Sequence, residues 1–398
     1  MPKITDPNQF LCDLFNVAVA RADPMIGVPA HLPPKPSGRL IVLGFVITRY
    51  GYGRPCEGIE IVEASHPVPD QAGVEATQRL LEVADGLGPE DTVIMLISGG
   101  GSSLLCAPAK GLTLADKQEL SAAMLASGMP IGDINGIRKE LSAVKGGRLA
   151  AAAYPAKVYA LLISDVPGDD PSDIASGPTV GHDGSADLAI TTLKKWGVTP
   201  PPAIAAYLAG GGAPLAANDQ RLRHVENTII AAPSQSLAAA AKQAEEFGVE
   251  VRILGDAIEG EARDLAVEHS QMAIKIAAEG LAHPVLLLSG GECTVTRTGD
   301  GIGGPNAEFT LAAAVALKGH PKIHVMAGDT DGVDGAAEVA GAVADPTTLA
   351  LSEAMELSAQ GALTRNDAHG FFGKIGAQVV TGPTMTNVND FRALLILP

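Results

Sequence analysis

Two glycine-rich runs draw attention because each directly follows an apolar stretch. The run Ser98-Gly99-Gly100-Gly101-Ser102-Ser103 follows residues 93–97, and the run Ser289-Gly290-Gly291-Glu292 follows residues 285–288. Both apolar stretches are typical of strands buried on two faces in a parallel sheet. Small residues after such a strand leave backbone N–H groups open to an anion. The pattern therefore predicts a phosphate-binding loop in each half of the chain.

A basic segment supplies candidate positive charge. Residues 135–148 carry apolar residues at helical spacing, and Gly146-Gly147 would end such a helix. Residues seven apart nearly eclipse on a helix, so Arg138 and Lys145 would present two cations to one anion. The alternative is an ordinary solvated helix face, which is what we expect for Lys139. Both interpretations stay open.

Acidic residues follow two further apolar strands. Residues 164–170 contain Asp165, and residues 328–334 contain Asp331 and Asp334. Carboxylates at the carboxyl ends of strands in an open α/β sheet face the ligand crevice. Magnesium takes one or two such carboxylates together with phosphate oxygens. The alternative is that these aspartates cap helices and close turns.

Several polar residues are ligand candidates with plain structural alternatives. His66 lies in a segment whose prolines fix the backbone, which suits rigid presentation to a ligand. The others follow glycines or an apolar strand, and they suit caps and turns equally well. These other candidates are Asn306, Glu308, Thr384, Asn387 and Asn389.

One motif points to a different class of enzyme. Residues 299–304 match the dinucleotide-binding fingerprint, with Asp329 at a suitable distance downstream. The preceding residues 294–298 alternate polar and apolar side chains like an edge strand, whereas the fingerprint needs a buried first strand. A dehydrogenase is therefore the less favoured alternative.

Composition and charge limit the remaining choices. The chain has 398 residues, of which 46% are hydrophobic, so two or three domains are expected. Apolar strands alternate with Ala-rich helices, which predicts an α/β fold. The net charge of −17 disfavours nucleic acid or an anionic membrane as partner. A Gly/Pro/Ala-rich stretch at residues 210–218 is the expected domain boundary.

The cysteines and the hydropathy indicate the compartment. Cys12, Cys56, Cys106 and Cys293 are far apart and form no CxxC pair, so neither a zinc site nor a disulfide scaffold is expected. No apolar run approaches the roughly 20 residues that span a bilayer, and no targeting segment is expected. A cytoplasmic location fits these features best.

Taken in order along the chain, these motifs resemble the class II glycerate 2-kinase family, whose C-terminal domain is called MOFRL. Residues 174–179 and 382–390 contribute further motifs, and the resemblance covers nearly the whole chain. It implies two α/β domains with the active site in the cleft between them. Residues 1–218 would form a Rossmann-like domain with a parallel or mixed sheet. Residues 219–398 would form a smaller domain containing the MOFRL region at about 284–392.

The resemblance also implies an activity. Members transfer the γ-phosphoryl group of ATP to the 2-hydroxyl of D-glycerate with Mg²⁺, so the expected partners are small molecules, and a homodimer is left open. Members are often labelled hydroxypyruvate reductase, so an NAD(P)H-dependent reductase is one alternative. A non-catalytic homologue that binds a nucleotide or a hydroxy acid is the other.

Site roles follow from motif position and chemistry. The expected catalytic residues are Lys145, Arg138 and Asp165, and the expected metal ligands are Asp165, Asp331 and Asp334. The expected nucleotide- and substrate-binding residues are Ser98, Gly99, Gly100, Gly101, Ser102, Ser103, His66, Asn135, Ser289, Gly290, Gly291, Glu292, Asn306, Glu308, Thr384, Asn387 and Asn389.

Two departures from the family pattern concern cations. The family's first strand runs into a Gly-x-Gly-Lys-Ala turn and a helix, whereas here residues 39–44 directly abut the apolar residues 45–50. Parallel neighbours need a crossover of about a dozen residues. Either chain is missing between Gly44 and Phe45, which is what we expect, or one strand and the lysine are absent from this protein. Pro305 stands where some relatives have Arg, which makes Arg138 or Lys145 more important.

Overall fold

The structure, a computed structural model, describes residues 2–35, 44–212 and 215–398. It forms two compact units, each built from separate segments of the chain. Unit 1 comprises Met1–Ala30, Ile163–Gly168 and Ile230–Pro398, and unit 2 comprises His31–Leu162 and Asp169–Ile229. This division differs from the boundary expected at residues 210–218, because the chain passes between the units more than once.

The elements of the described residues alternate as an α/β chain should. The helices are α1 (Pro7–Arg21), α2 (Pro24–His31), α3 (Gln71–Asp85), α4 (Gly101–Leu104), α5 (Leu114–Ala126), α6 (Ile131–Glu140), α7 (Arg148–Ala152), α8 (Ala186–Lys195), α9 (Pro202–Ala209), α10 (Pro233–Glu246), α11 (Ala262–Ala278), α12 (Pro305–Leu317), α13 (Thr348–Ala354), α14 (Ala359–Thr364) and α15 (Ala368–Ile375). The strands are β1 (Gly44–Arg49), β2 (Ile59–Ala64), β3 (Thr92–Ile97), β4 (Lys157–Ile163), β5 (Val225–Ala231), β6 (Glu250–Gly255), β7 (Gly260–Glu261), β8 (Val285–Gly291), β9 (Cys293–Thr294), β10 (Ile323–Asp329), β11 (Gly341–Ala344), β12 (Gln378–Val379) and β13 (Asp390–Ile396).

Unit 1 has three layers around a six-stranded mixed sheet in the order β12-β11-β10-β13-β8-β6. Strand β13 is antiparallel to β8 and β10, while β6 is parallel to β8. Leu287 of β8 packs in the core that contains α11 and α12, and Leu286 and Leu288 pack in the core that contains α1 and α10. This alternation buries β8 on both faces, as the apolar run predicts, and the α/β fold class is confirmed.

Unit 2 contains two small sheets and a helical core. Strands β1 and β2 pair in parallel, and a second sheet has the order β3-β4-β5, with β3 parallel to β4. Helices α5, α6, α8 and α9 enclose an apolar core of their own. The prediction that β3 is buried on both faces is wrong, because Ile94 is 43% exposed and Leu96 is 62% exposed. An apolar run does not reveal whether a second layer covers the strand.

Strand β1 decides the question of missing chain. Gly44 lies opposite Ile59 and Phe45 opposite Glu60, so the ladder continues in step across the Gly44–Phe45 bond. The expectation that residues are missing there is wrong, and the chain has no Gly-x-Gly-Lys-Ala turn after this point. The strand expected at residues 39–43 lies outside the described residues. Within the described ranges, no helix combines the length and apolar character needed to cross a membrane.

Candidate active site

The first glycine run forms the turn between β3 and helix α4 in unit 2. The N–H groups of Gly101 and Ser102 donate to the carbonyl oxygens of Ser98 and Gly99. The N–H groups of Gly99 and Gly100 donate to no acceptor in the described residues. This loop, residues 98–103, therefore offers the open backbone donors that the sequence predicts, and we call it the glycine loop.

A strained segment packs against the glycine loop. Ala175, Ser176 and Gly177 all have positive φ, at 52°, 62° and 63°, and all are buried. A Cβ on Gly101 would lie 2.8 Å from the Cβ of Ala175, and the hydroxyl oxygens of Ser102 and Ser176 are 3.1 Å apart. Left-handed conformations of residues with a Cβ are costly and tend to occur at functional sites.

Lys145 lies between the strained segment and the glycine loop. Its Nζ donates to the carbonyl oxygen of Ser102 at 2.8 Å and of Ala175 at 3.4 Å, and the residue is 3% exposed. Burial, with further contributions from the positive charges of Lys117, Arg138 and Lys139, lowers the pKa of Lys145 to about 7; the nearby Cys106 opposes this shift. Of these four cations, Lys139 alone forms an ion pair among the described residues, with Asp173, so the group suits an anionic ligand.

The arrangement of Arg138 and Lys145 differs from the sequence prediction. Arg138 and Lys145 do not share a helix, because α6 ends at Glu140. The hydroxyl of Ser142 accepts the N–H groups of Val144 and Lys145, both at 3.2 Å, which replaces the next helical turn. The charge of Arg138 nevertheless contributes to the lowered pKa of Lys145.

Two cations near Lys145 are held in place by other contacts. Lys139, expected to be exposed, is buried and forms an ion pair with Asp173 at 3.2 Å. Arg148 donates from Nη1 to the carbonyl oxygens of Lys139 and Lys145, at 2.8 and 2.9 Å. Both contacts fix the backbone that carries the cluster. Asn135 lies in α6 beside these residues in sequence, and its predicted binding role stays a prediction.

His66 completes the surroundings of the glycine loop. Its ring atoms Cδ2 and Nε2 lie 3.7 and 3.8 Å from the position that a Cβ on Gly100 would take. Burial, with a contribution from the charge of Arg49, lowers the pKa of His66. The imidazole is therefore neutral at pH 7 and can donate one hydrogen bond and accept another.

The acidic candidates lie in unit 1. Oδ1 of Asp165 is buried without a hydrogen-bond donor among the described residues. Burial, with a contribution from the charge of Glu292, raises the pKa of Asp165 to about 6. The Nδ2 of Asn389 donates to the carbonyl oxygen of Asp165 at 2.6 Å and so fixes this turn. An orphaned carboxylate oxygen beside a second carboxylate fits a divalent cation, although no cluster of three or more ligating side chains occurs in the parts that the structure describes.

Asp334 caps helix α12. Its Oδ1 accepts the backbone N–H of Asn306 at 3.0 Å, and its Oδ2 accepts that of Ala307 at 2.8 Å and lies 2.9 Å from Nε2 of His369. Both carboxylate oxygens are thus engaged in structure, which is the alternative that the sequence left open. Asp331 is engaged as well, because its Oδ1 accepts the backbone N–H of Val333 at 2.7 Å, and its metal role stays a prediction. Burial and the charge of Asp331 raise the pKa of the neighbouring Asp329.

The second glycine run is buried in the sheet of unit 1. A Cβ on Gly291 would lie 2.2 Å from the backbone nitrogen of Ile258, and one on Gly290 would lie 3.4 Å from the carbonyl oxygen of Asp256. Fully buried Arg392 donates to the carbonyl oxygen of Gly290 and, at 3.3 Å, to Oγ of Ser289. Close backbone packing therefore explains these glycines without a ligand, and the predicted phosphate contact stays a prediction.

The remaining polar candidates of unit 1 make internal contacts. The Nδ2 of Asn306 donates to Oδ1 of Asp390 at 2.6 Å, and buried Glu308 pairs with Arg263 at 2.5 Å. In the C-terminal motif, Oγ1 of Thr384 donates to the carbonyl oxygen of Thr330 at 2.6 Å, and the N–H of Asn389 donates to Oδ1 of Asn387 at 2.8 Å. These residues brace the Thr330 loop and the Asp165 turn, and their predicted ligand roles stay predictions.

The dinucleotide fingerprint does not have the required context. Its glycines follow β9, a strand of two residues that pairs with β7 away from the main sheet. Cβ atoms on Gly299 and Gly301 would lie 2.3 and 2.7 Å from the carbonyl oxygen of Arg365. The glycines therefore serve close packing, and the observed structure removes the basis for a dehydrogenase site here.

Sequence reasoning missed three residues near the glycine loop: Lys117, Ser176 and Arg49. Lys117 lies on α5, where one lysine on an amphipathic helix gives no signal that separates it from a solvated residue. Arg49 belongs to no motif. Ser176 lies in the motif at residues 174–179, but its contact with Ser102 depends on a neighbour distant in sequence.

Comparisons with known proteins agree with the motifs. Residues 22–209 match a domain of unknown function (DUF4147), and residues 285–390 match the MOFRL family. The chain is 48% identical over 357 residues to an Agrobacterium vitis protein named "Putative hydroxypyruvate reductase", covering 89% of this chain and 92% of that one. It is 38% identical over 363 residues to the D-glycerate 2-kinase of Thermotoga maritima, covering 90% of this chain and 86% of that one.

A solved structure extends the match to the fold. The crystal structure of glycerate kinase from Thermotoga maritima superimposes with a TM-score of 0.88 at 32% identity, covering 98% of this chain and 99% of that one. Sequence, domain order and fold therefore agree along nearly the full length. The chain belongs to the class II glycerate 2-kinase family, with the MOFRL domain in its C-terminal part.

Proposed function

We propose that this chain is a glycerate 2-kinase that transfers the γ-phosphoryl group of ATP to the 2-hydroxyl of D-glycerate, giving 2-phosphoglycerate and ADP. Relatives with glycerate 2-kinase and glycerate kinase names support the proposal. The observation that carries it is Lys145, whose Nζ donates to the Ser102 carbonyl of the glycine loop and whose pKa is lowered by burial and by the charges of Lys117 and Arg138. In a chain of net charge −17, such a concentration of positive charge suits a polyanionic ligand.

Phosphoryl transfer depends mainly on positioning and charge neutralisation. The open N–H groups of Gly99 and Gly100 suit phosphate oxygens, and Lys145 and Arg138 suit the charge on the transferring group. The guanidinium of Arg138 is half-buried and donates to no acceptor in the described ranges. A bound polyanion favours the protonated form of Lys145, so the ligand itself would restore the ammonium at neutral pH.

The ATP-dependent reaction is proposed to use Mg²⁺, and Asp165 is its candidate ligand. The buried, unpartnered Oδ1 of this residue and the neighbouring charge of Glu292 support the assignment. Magnesium takes one or two carboxylates together with phosphate oxygens, so no larger protein cage is required. The ion would neutralise charge on the phosphates when bound. A metal role for Asp331 stays a prediction from its loop position.

We place the enzyme in the cytoplasm. All four cysteines are free thiols, and two of them, Cys106 and Cys293, are buried. Unpaired cysteines are usual in a reducing compartment.

The missing lysine turn gives weight to a second candidate function. Without that turn, and with Pro305 in place of an Arg, Arg138 and Lys145 would have to supply the cationic assistance. If they do not, the chain is a non-catalytic protein that binds a nucleotide or a hydroxy acid.

A paired assay distinguishes these functions. The protein is incubated with ATP, Mg²⁺ and a panel of hydroxy acids while ADP is measured, and in parallel with hydroxypyruvate while oxidation of NADH and NADPH is followed. The kinase proposal expects ADP formation that depends on D-glycerate and no loss of reduced nicotinamide. Nicotinamide oxidation would establish the reductase instead. Glycerate affinity without ADP formation would establish the binding protein.

A further inference from the structure

Arg49 ends strand β1 beside the glycine loop. It lies opposite Ala64, the last residue of the parallel neighbour β2, and His66 follows two residues later. The His66 ring in turn lies against Gly100, and the charge of Arg49 is close enough to contribute to the lowered pKa of His66. The guanidinium, the imidazole and the loop therefore lie at the carboxyl ends of parallel strands, where α/β sheets bind their ligands.

The Arg49 guanidinium has no carboxylate partner among the residues that the structure describes. It stacks on the Tyr52 ring, 4.0 Å from the centroid, and Nη2 donates to the Tyr52 hydroxyl at 2.5 Å. The nearby carboxylates are committed elsewhere, since Glu63 accepts the N–H of Gly51 at 2.9 Å, and Asp70 accepts the Tyr50 hydroxyl at 2.7 Å. Stacking uses the face of the guanidinium and leaves most of its N–H groups available.

The charge at this position differs from that around Lys145. Arg49 is one fixed cation, and His66 beside it is a neutral donor and acceptor at pH 7. A single planar guanidinium matches the two oxygens of a carboxylate, whereas the several cations around Lys145 match a polyphosphate. The tyrosine ring holds the guanidinium flat and so reduces the entropy lost when it binds.

We propose that Arg49, with His66 beside it, forms the subsite for the carboxylate of the acceptor substrate. The assignment rests on the proposed function, in which that acceptor is D-glycerate. It makes Arg49 a specificity residue that selects hydroxy acids over neutral polyols.

The test compares Arg49→Gln with Arg54→Gln. Arg54 is an exposed arginine five residues along, and its Nη1 donates only to the backbone oxygens of Gly51 and Gly53. Arg49→Gln should raise KM for D-glycerate roughly ten- to a hundredfold, the range for losing hydrogen bonds between charged groups, and leave KM for ATP within about twofold. Arg49→Gln should also discriminate less strongly between D-glycerate and glycerol as acceptor. Arg54→Gln should change none of these values.

Two further measurements guard the interpretation. NMR titration of His66 should show a higher pKa in Arg49→Gln, because a neighbouring positive charge is removed, and no change in Arg54→Gln. Arg49→Lys keeps the charge and should regain part of the affinity for D-glycerate that Arg49→Gln loses. It replaces Arg49→Gln as the test variant if Arg49→Gln proves unstable. A rise in KM for ATP in place of that for glycerate, or an unchanged KM for both, overturns the subsite.

Failure of the proposed function is separable from failure of the subsite. Calorimetric titration of the protein with D-glycerate measures affinity without turnover. Weaker binding by Arg49→Gln in a protein that forms no ADP would reject the kinase and support the subsite. ADP formation together with equal affinity of Arg49→Gln and Arg54→Gln for D-glycerate would support the kinase and reject the subsite.

Discussion

Lys145 has a pKa well below that of an ordinary lysine, because of where it lies in unit 2. It is buried and close to other cations, and among the described residues its Nζ donates only to carbonyl oxygens. Such a site disfavours the charged form of the lysine in the free protein and favours it once an anion arrives. The residue is therefore suited to respond to the ligand.

Replacing Lys145 by Met should lower kcat by about two to four orders of magnitude, because a preorganised charge on the transferring group is lost. Steady-state ADP release at saturating ATP and D-glycerate measures the effect. Lys194, an exposed lysine in the last turn of α8, provides the matched control Lys194→Met. Equal kcat values for the two variants would remove Lys145 from the mechanism.

The pKa of Lys145 predicts a pH dependence. A pKa of about 7 means that the free protein loses this proton as the pH rises through 7, so kcat/KM should fall above that pH. Lys117→Gln removes a neighbouring positive charge, which raises the pKa of Lys145 and moves the falling limb to higher pH. The kcat/KM profile between pH 5.5 and 9 is the measurement. A limb that does not move would show that Lys117 is remote from the titrating group.

The pKa of Asp165 should determine where kcat/KM falls at acidic pH. Its pKa of about 6 lies above the usual value, so the carboxylate is protonated as the pH falls through 6, and kcat/KM should fall with it. Asp165→Asn should be nearly inactive and should weaken the dependence of the rate on Mg²⁺. Asp187→Asn, at an exposed position in the first turn of α8, should leave both unchanged. Normal Mg²⁺ dependence in Asp165→Asn would contradict the assignment.

At the scale of elements, the strained segment Ala175–Gly177 sets the shape of the glycine loop. It accepts the N–H groups of Gly146 and Gly147, at 3.2 and 2.7 Å, and leaves no room for a side chain at Gly101. One short segment thereby fixes two loops that are about 40 residues apart in sequence.

Gly101→Ala should destabilise the protein by about 1–3 kcal/mol and lower activity, because the new methyl group meets the Cβ of Ala175. Adding Ala175→Gly should restore both, since it removes that Cβ and relieves a residue with φ of 52°. Thermal melts and ADP release compare the single and double variants. The control is Gly136→Ala, a helical glycine with nothing within 4 Å of the added Cβ. A double variant no better than Gly101→Ala would mean that the clash is not the cause.

The helices and strands show which parts of the fold can be predicted from local sequence. The strand expected before residues 164–170 and the strand expected at residues 285–288 are confirmed as β4 and β8, because a long apolar run is typical of a buried strand. The prediction of one helix over residues 135–148 is wrong, because the Ser142 hydroxyl competes for backbone N–H groups. The Ser289 run does not form an open loop, because residues 289–291 continue strand β8 and Gly291 accommodates the backbone of Ile258. Both errors concern contacts with neighbouring backbone that periodicity does not encode.

In the whole molecule, unit 1 combines segments that are far apart in the sequence. Helix α1 is far in sequence from the C-terminal domain predicted at residues 219–398, yet its Leu11, Leu14 and Phe15 are fully buried in a core of that unit. The Phe15 ring packs edge-on against Phe391 at 5.8 Å, and Ser236 donates to the carbonyl oxygen of Ala18 at 2.8 Å. A boundary drawn from composition separates α1 from the helix and strands that it covers.

A fragment containing residues 219–398 should therefore fail to fold cooperatively. It lacks three fully buried side chains, each worth about 1.5–3 kcal/mol, and exposes the apolar face of α10 and the sheet. We expect helical circular dichroism without a sharp thermal transition. Fusing residues 2–30 to the fragment through a Gly/Ser linker should restore a cooperative melt, and the same fusion carrying Phe15→Asp should not. A fragment that melts sharply without α1 would show that the C-terminal domain folds independently of the first helix.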